Sequence, residues 1–183
     1  IGMALILSGV VVLVTVWPAA IGSLTVVPAP PMAQAAGGDF PNCRLGVGAS
    51  LNPLATYNYT PTRFGWYLDW KVTSSPPASL EYYRTVRVKQ DKSGSTYLQS
   101  YRVTPTLDFS PTGLGPVVQA HPGKVWIIGN EPDRPYSQDD VMPDMYARIY
   151  HDVYGFIKGI DPTARVAIGA DVQPTQIRLQ YLE

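Results

Sequence analysis

The pattern that organises this sequence is a short apolar run that stops abruptly in polar residues, KVWIIGNEPD at positions 124–133. The run from Val125 to Ile128 consists of β-branched and aromatic residues, a composition typical of a short buried strand. Gly129 and the polar residues after it predict the end of that strand. Glu131 therefore follows the carboxyl end of a predicted strand.

A helix and a second strand are predicted beyond this loop. Asp139 or Asp140 can cap the helix, and Gly159 to Pro162 ends it. The short apolar segment Ala164 to Asp171 predicts the next strand, and residues 175–183 predict the opening of another helix. A strand, a helix and a strand in this order form a parallel βαβ unit, which predicts the α/β class. The apolar face of the helix is indicated by residues at three- and four-residue steps: Tyr146, Ile149, Tyr150, Val153, Ile157 and Ile160.

Upstream of this unit the pattern predicts mainly strands. Phe64–Trp70 and Glu81–Val88 are rich in aromatic and β-branched residues. Thr96–Thr104 is a weaker strand, which could pair with the preceding one across a turn at residues 90–95. Ser110 and Pro111 are suitable residues for the start of a helix, whereas residues 42–62 are expected to be irregular.

The N-terminal segment has a different character. Residues 1–27 are almost continuously apolar and uncharged, which is typical of a signal peptide or a membrane anchor. Ala33-Gln34-Ala35 is an A-x-A pattern of the kind that precedes signal cleavage. Residues 28–45 form a Pro/Ala/Gly linker, and residues 46–183 form the folded domain. We therefore expect export, with the domain outside the cytoplasm and any membrane contact through the N-terminal segment only; a buried core helix is the alternative for this segment.

Composition excludes several classes of function. The 14 basic and 14 acidic residues give a net charge of zero without a basic cluster, so no nucleic-acid partner is predicted. Cys43 is the single cysteine, and His121 and His151 are isolated, so we predict no metal site. The sequence contains no glycine-rich phosphate loop, and no cofactor is predicted.

The residues alone leave two interpretations of Glu131 open. A carboxylate at the mouth of a parallel sheet can act as a general acid or base when its surroundings adjust its pKa. Asn, Pro and Asp are also ordinary turn-forming residues, so the segment could equally be a polar loop without chemistry.

The segment VWIIGNEPD, the Tyr-rich helix and the turn ARVAIGADVQPT together resemble the retaining glycoside hydrolases built on a (β/α)8 barrel. The similarity covers about residues 64–183 and is greatest to exported proteins of the cellulase/glucanase superfamily. It implies a partial barrel, truncated after about the fifth strand, in which an Asn-Glu-Pro motif ends the fourth strand. Strict strand alternation would send Asn130 and Glu131 to opposite faces, so this geometry requires the strand to end or bulge there.

The resemblance also assigns roles. Glu131 would be the acid/base, and Asn130 would bind the hydroxyl next to the reacting carbon. The second carboxyl group would be a nucleophile at the end of the seventh strand, for which no candidate is visible in this sequence. Trp70 with the adjacent Asp69, and Asp171 with Gln173, lie at strand ends and are further candidates for sugar contact; for the aromatic ring, core packing is the alternative.

The expected function is therefore hydrolysis of O-glycosidic bonds in a polysaccharide or oligosaccharide by the full-length parent. This chain would carry the acid/base and be inactive alone. The alternatives are a non-catalytic carbohydrate-binding barrel and a surface-anchored structural or adhesion domain in which Glu131 is only a loop residue.

Overall fold

The structure is a computed structural model that describes residues 42–49, 54–58, 64–75 and 79–183. The expected targeting segment, residues 1–27, lies outside the described residues, as does most of the linker. The elements are β1 (Asn42–Gly48), a 3-10 turn (Leu54–Thr56), β2 (Phe64–Leu68), β3 (Glu81–Ser93), β4 (Thr96–Thr104), α1 (Leu114–Gln119), β5 (Val125–Ile128), α2 (Pro143–Ile160), β6 (Arg165–Ile168), α3 (Gln176–Leu179) and a 3-10 turn (Gln180–Leu182).

The strands form one mostly parallel sheet of six, in the order β1-β2-β3-β5-β6 with β4 beside β3. All neighbours along this path are parallel, whereas β4 is antiparallel to β3. The prediction of an α/β fold with a parallel β5-α2-β6 unit is confirmed. Because β1, β2, β3, β5 and β6 all run in the same direction, their carboxyl ends lie along one edge of the sheet.

The two faces of this sheet differ in their environment. On one face, Val86 on β3 and Trp126 and Ile128 on β5 are fully buried. They belong to the same core cluster as Ile149 and Val153, which lie on the apolar face of α2. The opposite face is only partly covered in the described structure, and Arg87 of β3 lies there, half-buried. The period-two pattern of β3 thus separates a helix-covered face from the face on which Arg87 lies.

Three local predictions were wrong. Residues 42–48 form β1 although their sequence, NCRLGVG, shows little alternation, because parallel pairing with β2 supplies the missing hydrogen bonds. β3 continues to Ser93, so the hairpin turn is shorter than residues 90–95. Helix α1 begins at Leu114, after Gly113, rather than at Ser110.

The predicted cap of α2 was also wrong. The helix begins at Pro143 with Met142 as its N-cap, and no side chain caps it. Proline suits this first turn because its missing N–H would have no helical partner there. Asp139 and Asp140 are buried and take part in ion pairs with cations of β3. Their place before the helix indicated a cap, but the partners came from a strand about fifty residues earlier.

Candidate functional site

The site is built on the sharp turn that follows β5. The strand ends at Ile128, and the next residues leave the extended conformation, with φ of 85° at Gly129 and 45° at Glu131. Glycine accepts a positive φ without strain, whereas a glutamate rarely adopts one. The requirement that the strand end or bulge before Asn130 is therefore met. Strand alternation no longer determines the directions of Asn130 and Glu131.

Hydrogen bonds from both sides fix the backbone of this turn. The Asn130 N–H donates to Asp139 Oδ2 at 2.7 Å, and the Glu131 N–H donates to the Ala170 carbonyl at 2.9 Å. The turn after β6 approaches closely, since a Cβ at Gly169 would lie 2.7 Å from the Gly129 carbonyl oxygen. The two turns are thus joined as one rigid rim.

Tyr146 of α2 ties this rim to the core. Its hydroxyl donates to the Ile128 carbonyl at 2.6 Å and accepts from the Gly169 N–H at 2.8 Å. Burial raises the pKa of Tyr146 to about 12, so the hydroxyl stays protonated and can both donate and accept at neutral pH. One tyrosine therefore bridges the ends of β5 and β6.

A cavity of about 330 Å³ opens at this rim, lined by Trp70, Arg87, Asn130, Glu131 and Gln138. The indole N–H of Trp70 donates to Asn130 Oδ1 at 2.9 Å, and Asn130 Nδ2 donates to Gln138 Oε1 at 3.0 Å. Arg87 Nη2 donates to the same Gln138 oxygen at 3.2 Å. The polar walls are thus connected to one another and pre-oriented before any ligand binds.

A buried carboxylate supports this wall from behind. Asp139 is 1% exposed and accepts from Arg87 Nε at 2.6 Å, in addition to the Asn130 N–H. Burial raises the pKa of Asp139, and the hydrogen bonds from Arg87 and from the backbone N–H groups oppose that shift only in part. Asp139 therefore couples the arginine of β3 to the turn that carries Asn130 and Glu131.

The carboxylate of Glu131 remains accessible. Its side chain is 25% exposed, and Oε2 accepts from Arg134 Nη1 at 3.0 Å in a surface ion pair. Among the described residues that line the cavity, Glu131 is the one carboxylate. With an indole, an amide pair and a guanidinium around it, the cavity offers hydrogen-bond donors and acceptors beside a carboxyl group that can exchange protons.

The structure brings together three of the six residues singled out from the sequence: Trp70, Asn130 and Glu131. Trp70 has a φ of 59°, which is unusual for a bulky residue. The other three do not line this cavity. Asp69 is 6% exposed and accepts from the Tyr82 hydroxyl at 2.6 Å, in contact with a separate apolar cluster.

Asp171 and Gln173 lie in the turn after β6. Both carboxylate oxygens of Asp171 are buried without a hydrogen-bond partner among the described residues. Burial raises the pKa of Asp171, and the nearby charge of Asp133 acts in the same direction. Gln173 is exposed, and its carbonyl accepts from the Thr175 N–H at 2.7 Å. Neither residue lines the cavity that holds Glu131.

Sequence reasoning missed Arg87, Gln138 and Asp139. One signal was present, because the alternation of β3 put Arg87 on the face opposite its buried residues, near the later part of the strand. Gln138 and Asp139 gave no such signal. Their roles depend on contacts with Arg87 that span 51 and 52 residues.

The described residues contain neither a membrane-spanning helix nor a cluster of metal ligands. None of the helices in the described ranges has the length and hydropathy of a membrane span. Within those ranges, no three His, Cys, Asp or Glu side chains are grouped as metal ligands would be.

Comparison of the chain with protein-family models, with curated proteins and with solved structures gives no significant match.

Proposed function

We propose that this chain carries the acid/base of a retaining glycoside hydrolase that cleaves O-glycosidic bonds in a polysaccharide. One observation carries the proposal. Glu131 directly follows the fourth of five consecutive parallel strands, and it lines a cavity at their carboxyl edge together with Asn130 and Trp70. This is the position that the Asn-Glu-Pro resemblance implies, and it is the edge at which barrel enzymes place their chemistry.

Each wall of the cavity has a role in this proposal. Glu131 protonates the leaving oxygen and later removes a proton from water. Asn130 offers its amide to the hydroxyl beside the reacting carbon, and the Trp70 N–H and Gln138 hold that amide in place. The ring of Trp70 supplies an apolar surface for a sugar face.

A retaining mechanism needs a second carboxyl group about 5–5.5 Å from the first. We assign it to a seventh strand of a complete (β/α)8 barrel in a longer form of this protein, exported by means of residues 1–27. The five parallel strands, which neighbour one another in sequence order, support this architecture, because the strands of such a barrel follow one another in that order.

A second candidate function is carbohydrate binding without catalysis. It is favoured by the finding that Glu131 is the one carboxylate among the described lining residues. Binding and catalysis differ in what they require from Glu131. A binder needs only its hydrogen-bonding capacity, whereas an acid/base must exchange a proton.

The test is Glu131→Gln in a form of the protein that hydrolyses polysaccharide. The amide keeps the shape but cannot transfer a proton, so kcat/KM should fall roughly 10²–10⁴-fold on natural polysaccharide. Aryl glycosides with good leaving groups should lose less in the first step, because they need little protonation. Glu81→Gln is the matched control, since Glu81 begins β3 at the opposite edge of the sheet. Equal activity of both variants on polysaccharide would rule out the assigned role.

A further inference from the structure

An exposed tyrosine lies in the loop between the cavity and α2, here called the platform loop (residues 132–142). Tyr136 is 82% exposed. Its φ is 66°, a left-handed conformation that bulky residues rarely adopt. Exposed aromatic rings are common singly and need no explanation by themselves. A strained backbone at such a residue does need an explanation, because strain persists only where the surroundings enforce it.

A buried ion pair enforces this conformation. The Tyr136 N–H donates to Asp140 Oδ2 at 3.0 Å, and Asp140 itself has a φ of 53°. The same carboxylate accepts from Lys92 Nζ at 2.7 Å and from the Tyr97 hydroxyl at 2.5 Å. Two residues of the β3–β4 hairpin and one buried carboxylate thus fix the backbone that presents Tyr136.

The ring itself is held on one side. Lys92 Nζ lies 4.5 Å from the centroid of the Tyr136 ring and 4.0 Å from that of Tyr97. These are cation–π distances, and the Lys92 side chain is only 15% exposed, so its charge acts at short range. The high exposure of Tyr136 means that the rest of its ring remains open to solvent.

The platform loop continues the wall of the cavity. Gln138, two residues after Tyr136, lines the cavity, and its carbonyl accepts from Lys89 Nζ at 2.8 Å. Arg87 at the cavity and Lys92 beneath Tyr136 are five residues apart on β3, which corresponds to roughly 16 Å along an extended strand. Tyr136 is not among the residues that line the cavity, and it lies against Lys92, farther along β3 than Arg87.

We propose that Tyr136 is a stacking platform for a further sugar unit of the polysaccharide, outside the cavity that holds the reacting unit. The inference rests on the proposed function and adds a binding site to it. A sugar ring presents an apolar face of C–H groups, which packs on an open aromatic ring. A ring that is already fixed loses little conformational freedom when it binds.

The test compares ligands of different length. Binding of disaccharides and hexasaccharides of the gluco, xylo and manno series to the full chain is measured by isothermal titration calorimetry. Tyr136→Ala and Tyr136→Asn should weaken binding of the hexasaccharide about three- to tenfold and leave disaccharide binding unchanged. Asparagine tolerates a positive φ, so Tyr136→Asn removes the ring while keeping the loop conformation. Tyr136→Phe should bind as the parent does.

Tyr154→Ala is the matched control, because Tyr154 is 41% exposed on α2 and stacks on Tyr150 with regular helical backbone. Hexasaccharide binding that is unchanged in both ring-deleting variants but lost in Asn130→Ala overturns the platform and leaves the proposed function intact. An equal loss for both ligand lengths also overturns the platform. Failure of every oligosaccharide to bind the parent chain overturns the proposed function and the platform together.

Discussion

The turns after β5 and β6 lie side by side at one edge of the sheet, yet they differ in the exposure and hydrogen bonding of their carboxylates. After β5, Glu131 reaches a cavity and is 25% exposed. After β6, both oxygens of Asp171 are buried and have no hydrogen-bond partner among the described residues. A place at the carboxyl edge of a parallel sheet therefore makes a residue a candidate, but the hydrogen bonds of its turn decide whether a ligand can reach it.

The difference has a physical cause in the hydrogen-bond partners of each turn. In the first turn, Asp139 and the Ala170 carbonyl accept from the backbone N–H groups of Asn130 and Glu131. The two side chains can then line the cavity, where Asn130 bonds to Trp70 and Gln138 and Glu131 pairs with Arg134. In the second turn, the neighbouring donors bind a different carboxylate. Val172 N–H and Arg178 Nη1 both donate to Asp133, at 3.0 and 2.5 Å, which leaves Asp171 without either.

Among these substitutions, loss of Asp139 should lower the free energy of unfolding the most. Asp139→Ala removes the acceptor of the Asn130 and Val88 N–H groups and leaves the Arg87 guanidinium with Gln138 alone. The free energy of unfolding in urea should fall by about 3 kcal/mol, at the lower end for breaking a buried ion pair, because Arg87 is 35% exposed. Asp91→Ala removes an exposed ion pair on the hairpin and should change stability little. Similar effects of both variants would show that Asp139 does not support the turn.

Replacement of Asp140 should lower the stability by less, and by an amount that depends on pH. Burial alone would raise its pKa, but hydrogen bonds from Lys92, Tyr97 and the Tyr136 N–H lower it to about 2. A depressed pKa stabilises the fold above the unfolded value and ceases to do so as pH falls. The contribution is about 2 kcal/mol at pH 6, and roughly half of it is lost by pH 3. The stability difference between the parent and Asp140→Asn should shrink accordingly; a constant difference from pH 6 to pH 3 would contradict this assignment.

Replacement of Asp171 should change the stability the least, and the pH dependence of that change should have the opposite sign. Burial and Asp133 raise its folded pKa above the unfolded value, so the parent loses stability as pH rises from the unfolded pKa through the folded one. Asp171→Asn should therefore gain stability relative to the parent between pH 4 and pH 7, by no more than about 1 kcal/mol. Thermal unfolding at the two pH values measures this trend. Oligosaccharide binding should be unchanged, and a loss of binding would mean that Asp171 faces the ligand.

The positions of Glu131 and Asp171 at strand ends could be predicted from the sequence, but the difference between their surroundings could not. The apolar runs and the helical spacing gave β5, α2 and β6, and they placed Glu131 and Asp171 at strand ends. Local pattern does not contain the contacts that separate the two residues. Arg87 and Asp139 are 52 residues apart, and their pairing depends on how the platform loop returns to β3. β1 was missed for a similar reason, because its extended conformation depends on pairing with β2.

Chemical rescue of Glu131→Gln by azide tests the central assignment most directly. In an active, longer form of the protein, this variant should react with an activated aryl glycoside and then accumulate a glycosyl-enzyme, because no general base activates water. Azide needs no general base, so its addition should restore turnover and yield a glycosyl azide of retained configuration. If azide leaves the rate unchanged and no such product forms, Glu131 is not the acid/base of a retaining mechanism.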